Sequence, residues 1–267
     1  MELGFMTLTS RELLIKLKEE HRLVAIKAEF EAEGISLDEL ALYADLAQST
    51  SIELTLKIGG PGAQRDMFEA WQVGASTILV PMVESLSALL HSNEMYKRCE
   101  STFDSILLKN PRFLINIETI KAVQQSSLIA ATAKLADVFL DGIVIGRKDL
   151  AASMEISSVE DAGVTQMALK AINCYSDLNF FITVGGGVSP SSYCQLDKLY
   201  KAGVSAYETR KCTFLAINLE NNQSYLNSIN YALRFERAWL VEKYSIFNAA
   251  SAKDLARVVE IDRRLEA

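Results

Sequence analysis

Seven short runs of β-forming residues alternate with helix-patterned segments along the chain, and this alternation is the strongest constraint on its fold. The runs are LVAIKAEF (23–30), IELTLKI (52–58), STILVPM (76–82), RFLINI (112–117), DGIVI (141–145), NFFITV (179–184) and VSAYET (204–209). Between them lie SLDELALYADLAQ (36–48), which opens on a capping serine, and AQRDMFEAWQVG (63–74), which ends in glycine. Further helical patterns cover 85–98, 119–135, 159–175, 190–202 and 213–235. Parallel neighbours need a crossover, so strands that alternate with helices predict a parallel sheet. Strands that are apolar throughout suit a sheet covered on both faces. Seven βα units in 267 residues predict an α/β protein of the TIM (β/α)8-barrel type, a fold of about eight units in about 250 residues. The eighth strand is either near the N-terminus or very short. No linker rich in Gly, Pro or Ser divides the chain, which predicts one domain over 1–267. The charged helical segment 236–267 is expected to extend beyond the barrel, as a candidate subunit interface.

Composition excludes several classes of function. A net charge of -7 argues against a nucleic-acid partner, which needs a basic stripe. No run of 18 apolar residues is present, so no membrane span is expected. The N-terminus, MELGFMTLTSRELLIKLKEE, is polar and helix-patterned, without the apolar core of a signal peptide. Cys99, Cys174, Cys194 and Cys212 are widely spaced with no CxxC pair, which fits free thiols in a reducing cytoplasm. His21 and His91 are the only histidines, too few for a histidine-rich metal site.

In a parallel barrel the active site lies at the carboxyl ends of the strands. Reading those ends in order gives Lys27, Glu29 and Glu31; Lys57; Asn116 and Glu118; Arg147, Lys148 and Asp149; Gly185, Gly186 and Gly187; and Tyr207, Glu208 and Arg210. Glu118 and Asp149 stand 31 residues apart, one βα unit, so adjacent strands would bring them close. Two close carboxylates repel unless a cation or proton lies between them. Hard oxygen ligands suit Mg²⁺ or Mn²⁺. The competing reading is that Glu118 caps the helix that follows it. Lys57 ends an apolar strand, where it could bind an anion, steady an enolate, snorkel out of the barrel mouth or form a Schiff base. Lys27, Glu29 and Glu31 alternate and so would share one strand face, as catalytic groups or as a structural ion-pair cluster. The triple glycine 185–187 is either an anion cradle or a tight turn.

Three segments resemble the HpcH/HpaI-type class II aldolase and citrate-lyase β-subunit family, within the phosphoenolpyruvate/pyruvate-binding TIM barrels. LTLKIGGPGAQRDMFEAWQVGASTILVPMVES is similar to the family's basic strand, "GA" turn and "VPMV" run. LINIETIKAV resembles its "xxQxET" strand, and DGIVIGRKDLAASM its "DGxxIGPxDLSxxxG" segment. The similarity covers roughly residues 50 to 155. It implies Glu118 and Asp149 as ligands of Mg²⁺ or Mn²⁺. It implies Asn116 and Lys57 as groups near the substrate, with Lys57 also catalytic. The strand-end residues themselves add Lys27, Gly146 and Arg147 as candidate substrate-binding groups and Glu29 and Glu31 as candidate catalytic ones. The similarity also implies a small 2-oxo acid or phosphoenolpyruvate as the substrate and a homo-oligomer, trimeric or hexameric.

The departures from the family are specific. Its arginine is Lys57 here, a point charge without a bidentate fork. Its "D-x-E-H" patch is represented by EFEAEG, with Ala32 where a histidine might stand, and its "IGP" proline is Arg147, which would add a cation at the mouth. The leading expectation is a metal-dependent carbon–carbon lyase or synthase that acts through a pyruvate-type enolate on an anionic 2-oxo acid. Two alternatives stay open: a phosphoenolpyruvate-using transferase or hydrolase, and a catalytically inactive ligand binder.

Overall fold

The computed structural model describes residues 8–103, 109–135 and 137–265. Eight strands close into a barrel in chain order: β1 (Leu23–Glu29), β2 (Glu53–Lys57), β3 (Thr77–Val80), β4 (Arg112–Ile117), β5 (Gly142–Gly146), β6 (Phe181–Gly185), β7 (Ala206–Glu208) and β8 (Cys212–Leu215). The seven expected strands are β1 to β7, all paired in parallel from β1 through β7. The eighth is the short strand β8, and it departs from the expected architecture by running antiparallel to both β7 and β1. Its direction follows from chain length. Only Thr209, Arg210 and Lys211 separate it from β7, too few for a parallel crossover. The helix expected from residue 213 is therefore corrected to this strand, followed by a 3₁₀ turn over Ala216–Glu220.

The helices are α1 (Ser10–His21), α2 (Phe30–Glu33), α3 (Leu37–Ser49), α4 (Gln64–Gln72), α5 (Leu86–Phe103), α6 (Ile120–Thr132), α7 (Arg147–Ser153), α8 (Ala162–Cys174), α9 (Tyr193–Lys201) and α10 (Asn222–Leu265). Several starts are fixed by side-chain caps. Thr9 and Glu12 form a capping box at α1, Ser36 caps α3, and Asp161 caps α8. The main core lies between strands and helices, with Trp71, Tyr43, Tyr175, Phe113 and Phe235 fully buried.

Helix α10 continues as one 44-residue element through the segment expected as an extension; residues 1–7 and 266–267 lie outside the described residues. It is pinned to the barrel by Lys243, which donates to Glu39 at 2.7 Å, and by Glu242, which accepts from Ser10 N–H at 2.8 Å. Among the described residues no helix is long and apolar enough to cross a membrane.

The barrel interior is layered. At the amino ends of the strands Arg112 pairs with Glu53 and lies over the Phe181 ring. Buried Thr55, Thr77, Thr183 and Thr213 and a small cluster of Leu79, Leu114 and Val144 fill the middle. The carboxyl ends carry the charged layer.

Candidate active site

A cavity of about 710 Å³ opens at the carboxyl ends of the strands. A second, of about 350 Å³, adjoins it and shares Glu29, Ala32, Lys57, Glu118 and Asp149 as lining. Every predicted site residue except Arg147 lines one or both, so strand ends far apart in sequence do converge on one rim.

Glu118 follows β4 and is only 3% exposed. It does not cap α6; Thr119 does, its hydroxyl accepting from Ala122 N–H at 3.1 Å. Glu118 therefore makes no capping hydrogen bond to α6. Its two oxygens accept instead from Met82 N–H at 3.0 Å and from the Asn116 amide at 2.8 Å. Met82 holds a positive φ of 57°, a costly conformation for a residue with a side chain. The VPMV run thus spends backbone strain where its N–H meets this carboxylate. Gly146, at the end of β5, leaves room for it. A Cβ there would lie 2.8 Å from Glu118 Cβ and 3.1 Å from its Oε2.

Asp149 lies in the first turn of α7, exposed and facing the same cavities. Five carboxylates line the main cavity, Glu29, Glu118, Asp149, Glu208 and Glu236, and they divide by partner. Glu29, Glu208 and Glu236 are paired with cations. Among the described residues Glu118 and Asp149 enter no ion pair. Asn116 is buried, and among the described residues its Oδ1 has no hydrogen-bond partner. Two uncompensated carboxylates beside an orphaned amide oxygen are a hard, all-oxygen donor set, the kind that Mg²⁺ or Mn²⁺ takes together with water. Among the described residues no three His, Cys, Asp or Glu side chains form a metal-holding cluster.

The lysines form a chain of alternating charge. Lys57 meets Glu29 Oε2 at 3.7 Å. Lys27 meets Glu29 Oε1 at 3.3 Å and Glu208 Oε1 at 2.6 Å. Burial opposes the charge on Glu29, but the neighbouring Lys27 and Lys57 ammonium groups outweigh it and hold its carboxyl below the ordinary glutamate value. Burial likewise opposes the Lys27 charge, and Glu208 and Glu29 overcome it, so Lys27 stays an ammonium at any physiological pH.

Three expectations change here. Lys27 is buried between two carboxylates, so its charge is already compensated within the protein. Glu31 does not share the strand face of Lys27 and Glu29, because β1 ends at Glu29 and Glu31 belongs to α2; it is exposed and lines the smaller cavity. Arg147 adds no cation to the mouth. Its guanidinium is fully buried, paired with Glu160 at 3.3 Å and donating to Ser192 at 3.2 Å, because residue 147 turns into α7. The cation presented there is its neighbour Lys148, exposed and without an ion pair among the described residues.

The triple glycine is a packing device that also borders the cavity. Gly186 has a φ of 78°, and a Cβ on it would lie 2.5 Å from Lys148 N and 2.7 Å from Arg147 N. Ala32 lines both cavities, so its methyl group stands on the wall where the imidazole would be expected. Glu208 was visible in the sequence only as one of several polar residues around the seventh strand; its burial and its bond to Lys27 come from closure of the barrel.

Residues 41–177, about half of the chain, match the family described as HpcH/HpaI aldolase/citrate lyase. No curated protein matches the chain in sequence. Among solved structures the citrate synthase SbnG superposes with a TM-score of 0.55 at 19% identity, over 74% of this chain and 81% of that one. An HpcH/HpaI aldolase from Desulfitobacterium hafniense DCB-2 gives 0.59 at 13% identity, over 76% and 83%. A lead(II) complex of Haloferax volcanii malate synthase gives 0.58 at 10% identity, over 77% and 63%. At these identities the likeness is one of fold.

Proposed function

The chain belongs to the HpcH/HpaI aldolase/citrate lyase family, and from that premise we propose that it is a metal-dependent carbon–carbon lyase or synthase acting through the enolate of a small 2-oxo acid. The observation that carries this reading is the division of the cavity's carboxylates: among the described residues Glu118 and Asp149 have no cation, next to a buried amide oxygen without a donor.

Glu118 and Asp149 would hold Mg²⁺ or Mn²⁺, with Asn116 Oδ1 beside them. When bound, such an ion stabilises the negative charge that develops on an enolate oxygen. Asn116 and Met82 N–H fix the Glu118 carboxylate from two sides, so its orientation is set before any ligand arrives. Lys57 supplies a protein cation on the same cavity, steadied by Glu29, and stabilises the same developing charge. Gly146 keeps the floor free of a side chain. Lys148 faces the opening, where it attracts an anionic substrate.

This reading includes self-association through α10. The helix would span about 66 Å, longer than a barrel face needs. Its Leu233, Leu240, Val241 and Tyr244 are exposed side by side, a surface suited to a second copy of the chain. A monomer mass by light scattering would overturn that part.

The enolate is tested by proton NMR of pyruvate in D₂O, with and without Mg²⁺ or Mn²⁺. Loss of the methyl signal that needs metal and is abolished by Glu118→Ala is expected. Metal-independent exchange, or exchange that survives Glu118→Ala, would count against it.

A further inference from the structure

The reaction just proposed needs a group that removes and returns a proton at the substrate carbon, and the cavity has Ala32 where a histidine would be expected. Four glutamates face the two cavities from the strand ends and α2, and their partners separate them. Glu118 has both oxygens held by N–H donors. Glu29 has one oxygen on Lys27 and the other on Lys57, two cations that oppose protonation. Glu31 is exposed and lines only the smaller cavity. Glu208 differs from all three. It is buried, lines the main cavity, and uses one oxygen, Oε1, for Lys27. Its Oε2 has no partner among the described residues.

Its position is also built. Gly146 and Gly185 are register partners at the ends of β5 and β6. Strand spacing sets them roughly 4.8 Å apart. Each has a glutamate from the next strand outward lying across it: Glu118 over Gly146 and Glu208 over Gly185. A Cβ on Gly185 would lie 2.7 Å from Glu208 Cγ and 2.8 Å from its Oε1. Gly146 lines the cavity without a side chain, and Glu118 and Glu208 line it from the two strands that flank the β5–β6 pair. A 2-oxo acid held by its oxygens at the Glu118 side would have Glu208 on the wall of the same cavity.

We propose that Glu208 is the general base and acid of this site, with Lys27 as its positioning residue. This inference rests on the enolate reading. In the enolising direction the substrate C–H bond breaks, its electron pair passes into the enolate, and the proton joins Glu208 Oε2. In the bond-forming direction the enolate carbon attacks the carbonyl carbon of the acceptor. The acceptor oxygen then takes that proton back, and Glu208 returns to a carboxylate. Lys27 holds Oε1 and so leaves Oε2 to face the substrate.

The test is hydrogen–deuterium exchange at the pyruvate methyl, followed by NMR beside Mn²⁺ binding by electron paramagnetic resonance. Glu208→Gln should bind Mn²⁺ as the wild type does and exchange about 100-fold more slowly, the scale of a lost general base. Glu208→Ala should regain exchange when formate is added, because a small carboxylate can occupy the vacated space. Wild-type exchange with an unslowed Glu208→Gln variant would overturn the assignment alone. A slowed Glu208→Gln variant without formate rescue of Glu208→Ala would overturn it in favour of a structural role. A wild type that binds Mn²⁺ but never exchanges would overturn the enolate reading and this inference with it.

Discussion

Glu29 and Lys57 are register partners in the β1–β2 ladder, and their charges meet at 3.7 Å across the strand ends. The pair keeps the ammonium over the cavity, whereas an unpaired lysine at a barrel mouth would extend into water. Lys57→Met removes the only protein cation assigned to the enolate. Pyruvate exchange should fall about 100- to 1,000-fold, as for other lost electrostatic donors. Mn²⁺ affinity should not change, since Lys57 is not among the candidate ligands. Loss of metal binding in this variant would show that Lys57 supports the carboxylate side of the site instead.

Lys27 is a buried charge whose removal strands two others. Among the described residues, Lys27→Met leaves Glu208 without its only cation and Glu29 with one of two. Breaking a buried pair on one side costs about 3–5 kcal/mol, which urea denaturation should register. Because the two residues share one contact, Lys27→Met combined with Glu208→Gln should cost less than the sum of the single changes. Strict additivity would contradict the pairing.

Glu29 gives stability a definite pH dependence. Its carboxyl is held below the ordinary glutamate value of about 4.3. The folded state therefore binds that proton more weakly than the unfolded chain does. The stabilisation is fully present above the ordinary value and is lost as pH falls through the lowered one. Glu29→Gln should flatten the acid side of a melting-temperature profile between about pH 5 and pH 2 and leave its shape near neutrality intact. An unchanged acid limb would mean that Lys27 and Lys57 do not hold this proton off.

Much of this site could be read from residue order, because strand ends in a parallel barrel share one rim. Lys57, Asn116, Glu118 and Asp149 needed only the assignment of three strands. What the sequence hid were direction and depth. Residue 147 lies one position past β5, and whether its side chain meets the cavity or the core depends on how α7 begins; Arg147 went inward and Lys148 outward. Strand β8 has four residues and no helix before it, so the periodicity that identified the others had nothing to register. Glu31 was placed on a strand face because KAEFEAEG alternates, but Phe30 starts a helical turn that ends the alternation. The role of Glu208 depends on its contact with Lys27, 181 residues away, which exists only once β7 and β8 close the barrel.

Gly146 is open to a direct test because its constraint is steric. Its φ is -86°, accessible to alanine, so backbone conformation does not require glycine there. The added methyl would instead stand 2.8 Å from Glu118 Cβ and 3.1 Å from Oε2. Glu118 would have to shift, and its bonds to Met82 N–H and Asn116 would lengthen or break. Gly146→Ala should cost about 1–3 kcal/mol, as overpacking does. It should also weaken Mn²⁺ binding about tenfold or more, the scale of disturbed ligand orientation. Gly62→Ala is the control: its Cβ would meet nothing nearer than His91 Nε2 at 4.0 Å. If Gly146→Ala kept full Mn²⁺ affinity, Glu118 would not be a ligand in the orientation seen here. The uncompensated pair of Glu118 and Asp149 would then need an explanation other than a metal.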